Sequence, residues 1–115
     1  MTAKPPKPTE ADVLKAVRDL LAARAFAVFR RNTGAVRATH KGKERLVRFS
    51  QPGMADLWGF HRPTGRHLEV EIKRHGKEPS LLQSVWLQEA FAAGCIAFWC
   101  DSVAMAEAEL DRFGV

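Results

Sequence analysis

Three residues of this chain could act together on a phosphate ester. They are Asp56, in Gly53-Met54-Ala55-Asp56-Leu57, and Glu71 and Lys73, in Leu68-Glu69-Val70-Glu71-Ile72-Lys73. Both segments otherwise read as buried strands, so their charged groups call for a chemical reason. Side chains alternate faces along a strand, which puts His67, Glu69, Glu71 and Lys73 on one face and Leu68, Val70 and Ile72 on the other. If the Asp56 segment lies alongside, about 4.8 Å away, its carboxylate and that of Glu71 converge on one cation. A hard ion such as Mg²⁺ takes oxygen ligands, commonly one or two carboxylates with waters and substrate phosphates. Lys73, about 6.7 Å beyond Glu71 on the same face, could hold the attacking water and neutralise charge developing on the phosphate. These are the parts of a metal-dependent phosphodiesterase. The plainer alternative makes Glu69, Glu71 and Lys73 the solvated face of an edge strand and Asp56 a turn residue. Glu-x-Lys alone is common by chance; the upstream Gly-x-x-Asp, where a neighbouring strand belongs, favours the site.

The elements that must position these residues are legible from periodicity and caps. Thr9 opens a Thr-x-x-Asp cap, and Val13, Leu14, Val17, Leu20 and Leu21 recur at helical spacing, predicting a helix from about Glu10 to Arg24. Phe26 to Arg31 reads as a short strand. Val36 to Thr39 and Leu46 to Phe49 flank Lys41-Gly42-Lys43 as a hairpin or flexible loop. Ala55 to Phe60 and His67 to Lys73 form a central pair around the turn-rich Arg62-Pro63-Thr64-Gly65. A second helix starts at Ser80, where Ser-x-x-Gln offers a capping box, and runs to Ala93 before Gly94. Ile96 to Cys100 is a buried strand, and Ser102 caps a last helix that ends near Gly114. No internal repeat is present.

Composition is consistent with a small enzyme or binding module. One domain, residues 9–115, is expected after a disordered tail, residues 1–8. A chain of 115 residues with 46% apolar composition buries somewhat over about 60% of its unfolded surface, enough for a core without disulfides. Cys95 and Cys100 are five positions apart and point to opposite faces of a strand, so they cannot pair with each other. They read as buried free thiols of a reducing cytoplasm, and no Cys-x-x-Cys or histidine pair suggests a metal site for them. No apolar run approaches the ~20 residues of a membrane helix, and the leader lacks the apolar centre of a signal peptide.

Net charge is +5, which suggests an acidic polymer as partner. Its distribution is local: Arg30, Arg31, Arg37, Lys41, Lys43, Arg45 and Arg48 stand against one acid, Glu44, while the last helix carries Glu107, Glu109 and Asp111. Such an arm is either a solvated hairpin or a phosphate-binding surface; beside a phosphodiester site, nucleic acid leads. Arg31 and Asn32 read equally as turn residues or as phosphate contacts. Trp58, Trp86 and Trp99 have apolar neighbours, which favours core packing over base stacking, least clearly for Trp86. His75 faces solvent or phosphate rather than metal.

The order α-β-β-β-α-β-α, with site residues on the central strands, resembles the PD-(D/E)XK nuclease superfamily, and more closely its stand-alone VRR-NUC family of bacteria and phages. Beyond Gly53 to Asp56 and Glu71-Ile72-Lys73, the resemblance rests on Glu10, Phe29 to Ala35, Val47-Arg48-Phe49, Gly65-Arg66 and Ser80-Leu81-Leu82-Gln83. It implies a restriction-endonuclease-like core, a mixed central sheet flanked by helices. It implies Mg²⁺ or Mn²⁺ held by Asp56, Glu71 and the Ile72 carbonyl, Lys73 serving the water, and Gln83 and Glu10 supporting the site from the two helices. Gln83 could instead only close its capping box, and Glu10 only favour its helix start. Ala55 stands where the superfamily name has proline, a backbone-shaping position rather than a ligand. The role of Glu69 is open. The implied activity is that of a DNA endonuclease on branched substrates such as four-way junctions, acting as a homodimer in a bacterial cytoplasm. A catalytically silent DNA-binding module and a flap- or end-directed nuclease are the alternatives. A short chain has little material for separate base reading, which disfavours a restriction-type cutter. Phe91, Ile96, Phe98 and Trp86 are the apolar candidates for a dimer contact.

Overall fold

In a computed structural model, residues 6–32, 35–48 and 51–115 are described. Residues 1–5 of the leader expected at 1–8, Thr33-Gly34 after Asn32, and the Phe49 end of its predicted strand lie outside these.

Helix α1 (Glu10–Ala23) begins where Thr9 and Asp12 close a capping box from both sides, satisfying two backbone donors that the first turn would otherwise leave open. Strands β1 (Phe26–Arg30), β4 (Leu57–His61), β5 (His67–Ile72) and β6 (Ile96–Cys100) form one sheet in the order β1-β4-β5-β6. The first two pairings are antiparallel; β5 and β6 are parallel. A parallel neighbour needs a crossover, and helix α2 (Leu81–Ala92) supplies it. Helix α3 (Val103–Phe113), capped by Ser102 and closed by Gly114 in the left-handed conformation, completes the chain. The architecture is therefore mixed α/β, a mixed sheet with helices on both faces. Among the described residues no helix is long and apolar enough to cross a membrane.

Strands β2 (Ala35–His40) and β3 (Lys43–Arg48) pair only with each other. They are longer than expected because the turn is only two residues: Lys41 and Gly42 both have positive φ, +52° and +76°, the type I′ geometry that matches strand twist. No other element among those described packs against this hairpin. With it set aside, the remaining elements run α-β-β-β-α-β-α.

Alternation sorts the sheet into two faces. Leu57, Leu68, Val70, Ile72, Ile96 and Phe98 pack against Val17 and Leu21 of α1 and Leu110 of α3, each contributing about 1.5–3 kcal/mol by burial. On the other face α2 covers the β6 side, where Leu87 packs with Ala55 and Ala97. Because β5 is central, all its residues after His67 are buried. The solvated edge-strand alternative for Glu69 and Glu71 is thereby removed. Two glycines mark close approaches. A Cβ on Gly59 would meet the Ala27 carbonyl oxygen at 1.8 Å, and one on Gly53, at φ +87°, would meet Leu82 Cγ at 2.6 Å. The second contact holds the loop before Asp56 against the first turn of α2.

Ile96 and Phe98, expected as dimer contacts, are consumed by the chain's own core. Cys100 is buried and Cys95 half-buried, and both thiols are free; burial first, then nearby acids, pushes the Cys100 thiol up to about 12.

Candidate active site

Leu57 of β4 sits opposite Val70 of β5, so the register continued by one residue brings Asp56 opposite Glu71. Asp56 itself lies just before β4 rather than inside a strand running from Ala55. The two residues are laced together. Asp56 N–H donates to Glu71 Oε2 at 3.2 Å, and Ile72 N–H donates to Asp56 Oδ2 at 3.0 Å. Lys73 N–H turns the other way, to Cys100 O. Peptide groups alternate direction along a strand, so the Ile72 carbonyl leaves β5 on the Asp56 side.

Glu71 is 2% exposed. Gln83 Nε2 donates to its Oε1 at 2.9 Å, and Lys73 Nζ lies 3.5 Å from the same oxygen. Gln83 closes its capping box and also reaches Glu71: its Oε1 accepts from Ser80 N–H at 2.9 Å, while its amide nitrogen bonds the Glu71 carboxylate. Burial, then the charge and hydrogen bond of Asp56, raise the Glu71 carboxyl to about 8 against the partial relief of Lys73. Two carboxylates turned toward each other in a dry place favour a shared proton or a cation between them.

A hard divalent cation fits this donor set. Asp56, Glu71 and the Ile72 carbonyl offer only oxygen. Two carboxylates and one carbonyl would leave the remaining positions of such an ion to water and substrate oxygens, which Mg²⁺ accepts; among the described residues no set of three or more His, Cys, Asp or Glu side chains gathers for a metal. Glu10 is exposed in the first turn of α1. Among the described residues it shares no hydrogen bond or ion pair with Asp56, Glu71 or Lys73, and its helix-start role accounts for it.

One step along the same face is a second, different cluster. Glu69 is 1% exposed and accepts from Arg31 at 2.6 and 2.9 Å, from Trp86 Nε1 at 2.7 Å and from His67 Nε2 at 2.6 Å. Burial pushes its carboxyl up, but the bonds from Arg31, His67 and Trp86 together outweigh that and hold it below the usual range. Arg31 also donates through Nη1 to Ala55 O and through its backbone to Asp56 O, at 2.9 and 2.7 Å. Expected among the DNA-contacting residues, it is instead turned inward and pins the peptide that carries Asp56. Its guanidinium lies 5.9 Å from the Trp86 ring centroid, so Trp86 is a hydrogen-bonded wall of this cluster rather than plain core.

Of the remaining basic residues, Arg30, Arg37, Lys41, Lys43 and Arg45 are exposed. Arg37 lies 3.7 Å from Glu44 in a solvated pair worth little. Arg48 pairs with Ala35 along the hairpin backbone, and Asn32 is exposed just beyond β1. His75 is exposed and lies 3.8 Å from Asp101. Trp58, expected in the core, is 37% exposed because it faces the half of the sheet that α2 leaves open.

The chain matches no protein-family model and no curated protein. The chemistry rests on the geometry of these side chains.

Proposed function

We propose that this protein is a Mg²⁺- or Mn²⁺-dependent DNA endonuclease of the PD-(D/E)XK type, close to the VRR-NUC family. The observation that carries the reading is the constellation of Asp56 and Glu71 interlaced across two strands, with Lys73 and Gln83 both on Glu71. The strand order with the hairpin set aside agrees with that superfamily's core.

Asp56, Glu71 and the Ile72 carbonyl would hold the ion, which supplies Lewis-acid stabilisation of the phosphate and a more acidic bound water. Gln83 fixes the Glu71 carboxylate in one orientation. Lys73, tethered near Glu71 Oε1, orients the attacking water and offsets charge on the phosphate in the transition state. Arg31 keeps the Asp56 peptide in register. The exposed cations of β2–β3 and Arg30 attract the backbone of the substrate.

Branched DNA, cut by a two-fold homodimer in the cytoplasm of a bacterium, is the preferred setting. A four-way junction needs two symmetric cuts, and closed two-fold pairing is the commonest assembly. Leu81, Leu82, Val85 and Phe91 of α2 are exposed and replace Ile96 and Phe98 as contact candidates. Labelled junction, flap, duplex and single-stranded DNA, incubated with Mg²⁺ and with EDTA, test the activity. Sedimentation tests the dimer. Metal-dependent cleavage is the expected result; binding with no cleavage of any substrate would reduce the protein to a DNA-binding module.

A further inference from the structure

The face that carries the carboxylate pair also carries exposed aromatic rings. Cross-strand register sets them in rows: Phe60 opposite His67, Phe29 opposite Trp58 and Trp58 opposite Glu69, with Asp56 opposite Glu71 in the next row. Phe29 is 45%, Trp58 37% and Phe60 40% exposed. The Phe29 and Trp58 rings are 4.9 Å apart at 32°, and Trp58 and His67 are 6.3 Å apart at 22°. These rings thus form a platform across β1, β4 and β5. His67 is fixed within it by its bond to Glu69. Helix α2 packs over β5 and β6 and leaves the platform open. Trp58 is two residues from Asp56 on the same side of the strand, about 7 Å away.

We infer that this platform stacks unpaired bases of the DNA strand whose phosphate lies at Asp56 and Glu71. The inference rests on the phosphodiesterase reading and adds a substrate preference: single-stranded or unpaired DNA next to the scissile bond. Three observations select this occupant. Flat rings, not aliphatic side chains, make the open face, and every base offers a π-face for stacking. Exposed cations continue the chain beyond Phe29: Arg30, on the opposite side of β1 from the rings, and Arg37, Lys41, Lys43 and Arg45 of the hairpin, a source of positive charge for the strand's phosphates. A second copy of this chain seated on the same rows would cover the approach to Asp56 and Glu71, which the chemistry needs open.

The test is binding of a dye-labelled oligothymidylate and of a blunt duplex, in EDTA, by the intact protein and by a Phe29→Thr/Trp58→Thr variant. Threonine keeps the preference for strand while removing both rings. Stacking contributes about 1–3 kcal/mol per base, so single-strand affinity should fall about tenfold or more while duplex affinity changes much less. Equal losses on both ligands, or no loss on either, would overturn the platform. So would a change from dimer to monomer with single-strand affinity intact, which would assign the face to a second copy. Should the double variant fail to fold by circular dichroism, the single variants decide: Trp58→Phe keeps affinity and Phe29→Leu loses it. Cleavage of the same strands by intact protein in Mg²⁺ is read separately. Inert protein whose single-strand binding still needs Trp58 keeps the platform and removes the nuclease; active protein indifferent to both rings does the reverse.

Discussion

Glu69 and Glu71 lie two residues apart on one strand, on one face, and each is almost wholly buried. Glu69 meets a bidentate arginine, an indole N–H and an imidazole. Glu71 meets an amide, a lysine at 3.5 Å and another carboxylate. The first is held below the ordinary glutamate range and the second raised to about 8. Burial acts against ionisation at both positions; what differs is whether the neighbours return the lost solvation. A buried acid fully matched inside the protein stiffens its surroundings. One left short of positive charge is prepared for something from outside.

The sharpest break between the two is in activity. Asp56→Ala or Glu71→Ala should take cleavage to background while DNA binding survives or tightens, because the ion site and a repulsive charge vanish together; cleavage near the normal rate in either variant would remove that residue from the site. Lys73→Ala should slow turnover by about 10²–10³ at saturating metal, the range typical of removing one group that stabilises transition-state charge, with metal affinity by calorimetry largely intact. Loss of metal binding with turnover preserved would reverse its role.

For Glu69 the effect should fall on the fold instead. Glu69→Ala strands the Arg31 guanidinium and should cost about 3–5 kcal/mol in urea unfolding, whereas Glu71→Gln, which keeps a neutral acceptor for Gln83, should leave the metal-free protein as stable or more stable near neutral pH. If the two behaved alike, the contrast would be an artefact of position rather than of partners.

Titration sharpens the same point. Between the ordinary value of 4.5 and about 8, the unfolded chain has released the Glu71 proton and the folded chain retains it. The folded state then binds more protons, so this group lowers metal-free stability as pH rises across that window. Glu69 works oppositely: its contribution is present above the ordinary glutamate range and lost as pH falls through its depressed value. Glu71→Gln should flatten the decline between 4.5 and about 8, and Mg²⁺ affinity should rise with pH there as binding expels the proton. Urea midpoints measured with and without ion check both.

The smallest effect concerns the hairpin, which packs on no other described element. Replacing Arg37, Lys41, Lys43 and Arg45 together should flatten the salt dependence of duplex binding by about 0.9 in log–log slope for each phosphate that is no longer neutralised, leaving metal-free stability nearly unchanged. An unaltered slope would move the DNA surface off the hairpin.

Local signals made much of this arrangement legible. Caps at Thr9, Ser80 and Ser102 located three helix starts, since each capping side chain acts within four residues. Period-two alternation brought Glu71 and Lys73 together, and the spacing to Asp56 anticipated its neighbour strand. The Arg31–Glu69 pair was not legible, because its partners are 38 residues apart and no local pattern joins them. One signal did exist. A strand followed by a crossover helix and a parallel partner is generally covered on both faces, so Glu69 had to be buried and therefore paired. The exposure of Trp58 depends on how far α2 extends over the sheet, a property of packing rather than of its neighbours in sequence. The hairpin's separation from the main sheet is likewise absent from its own residues.

Gln83 joins two structures that are usually independent, the start of a helix and a buried carboxylate pair. Its amide oxygen completes the cap of α2 while its nitrogen holds Glu71, so fraying of the first helical turn and disorder of the carboxylate become one event. A capping interaction contributes about 1 kcal/mol, and charging Glu71 strengthens the bond that Gln83 gives it. Amide hydrogen exchange at Gln83 and Ser84 therefore becomes a spectator of what happens at the sheet: the helix start slows its opening whenever the glutamate beneath it carries full charge. The segment from Ser80 to Gln83 is in this sense a latch: the bonds that start the helix and the bond that holds the Glu71 carboxylate share one side chain.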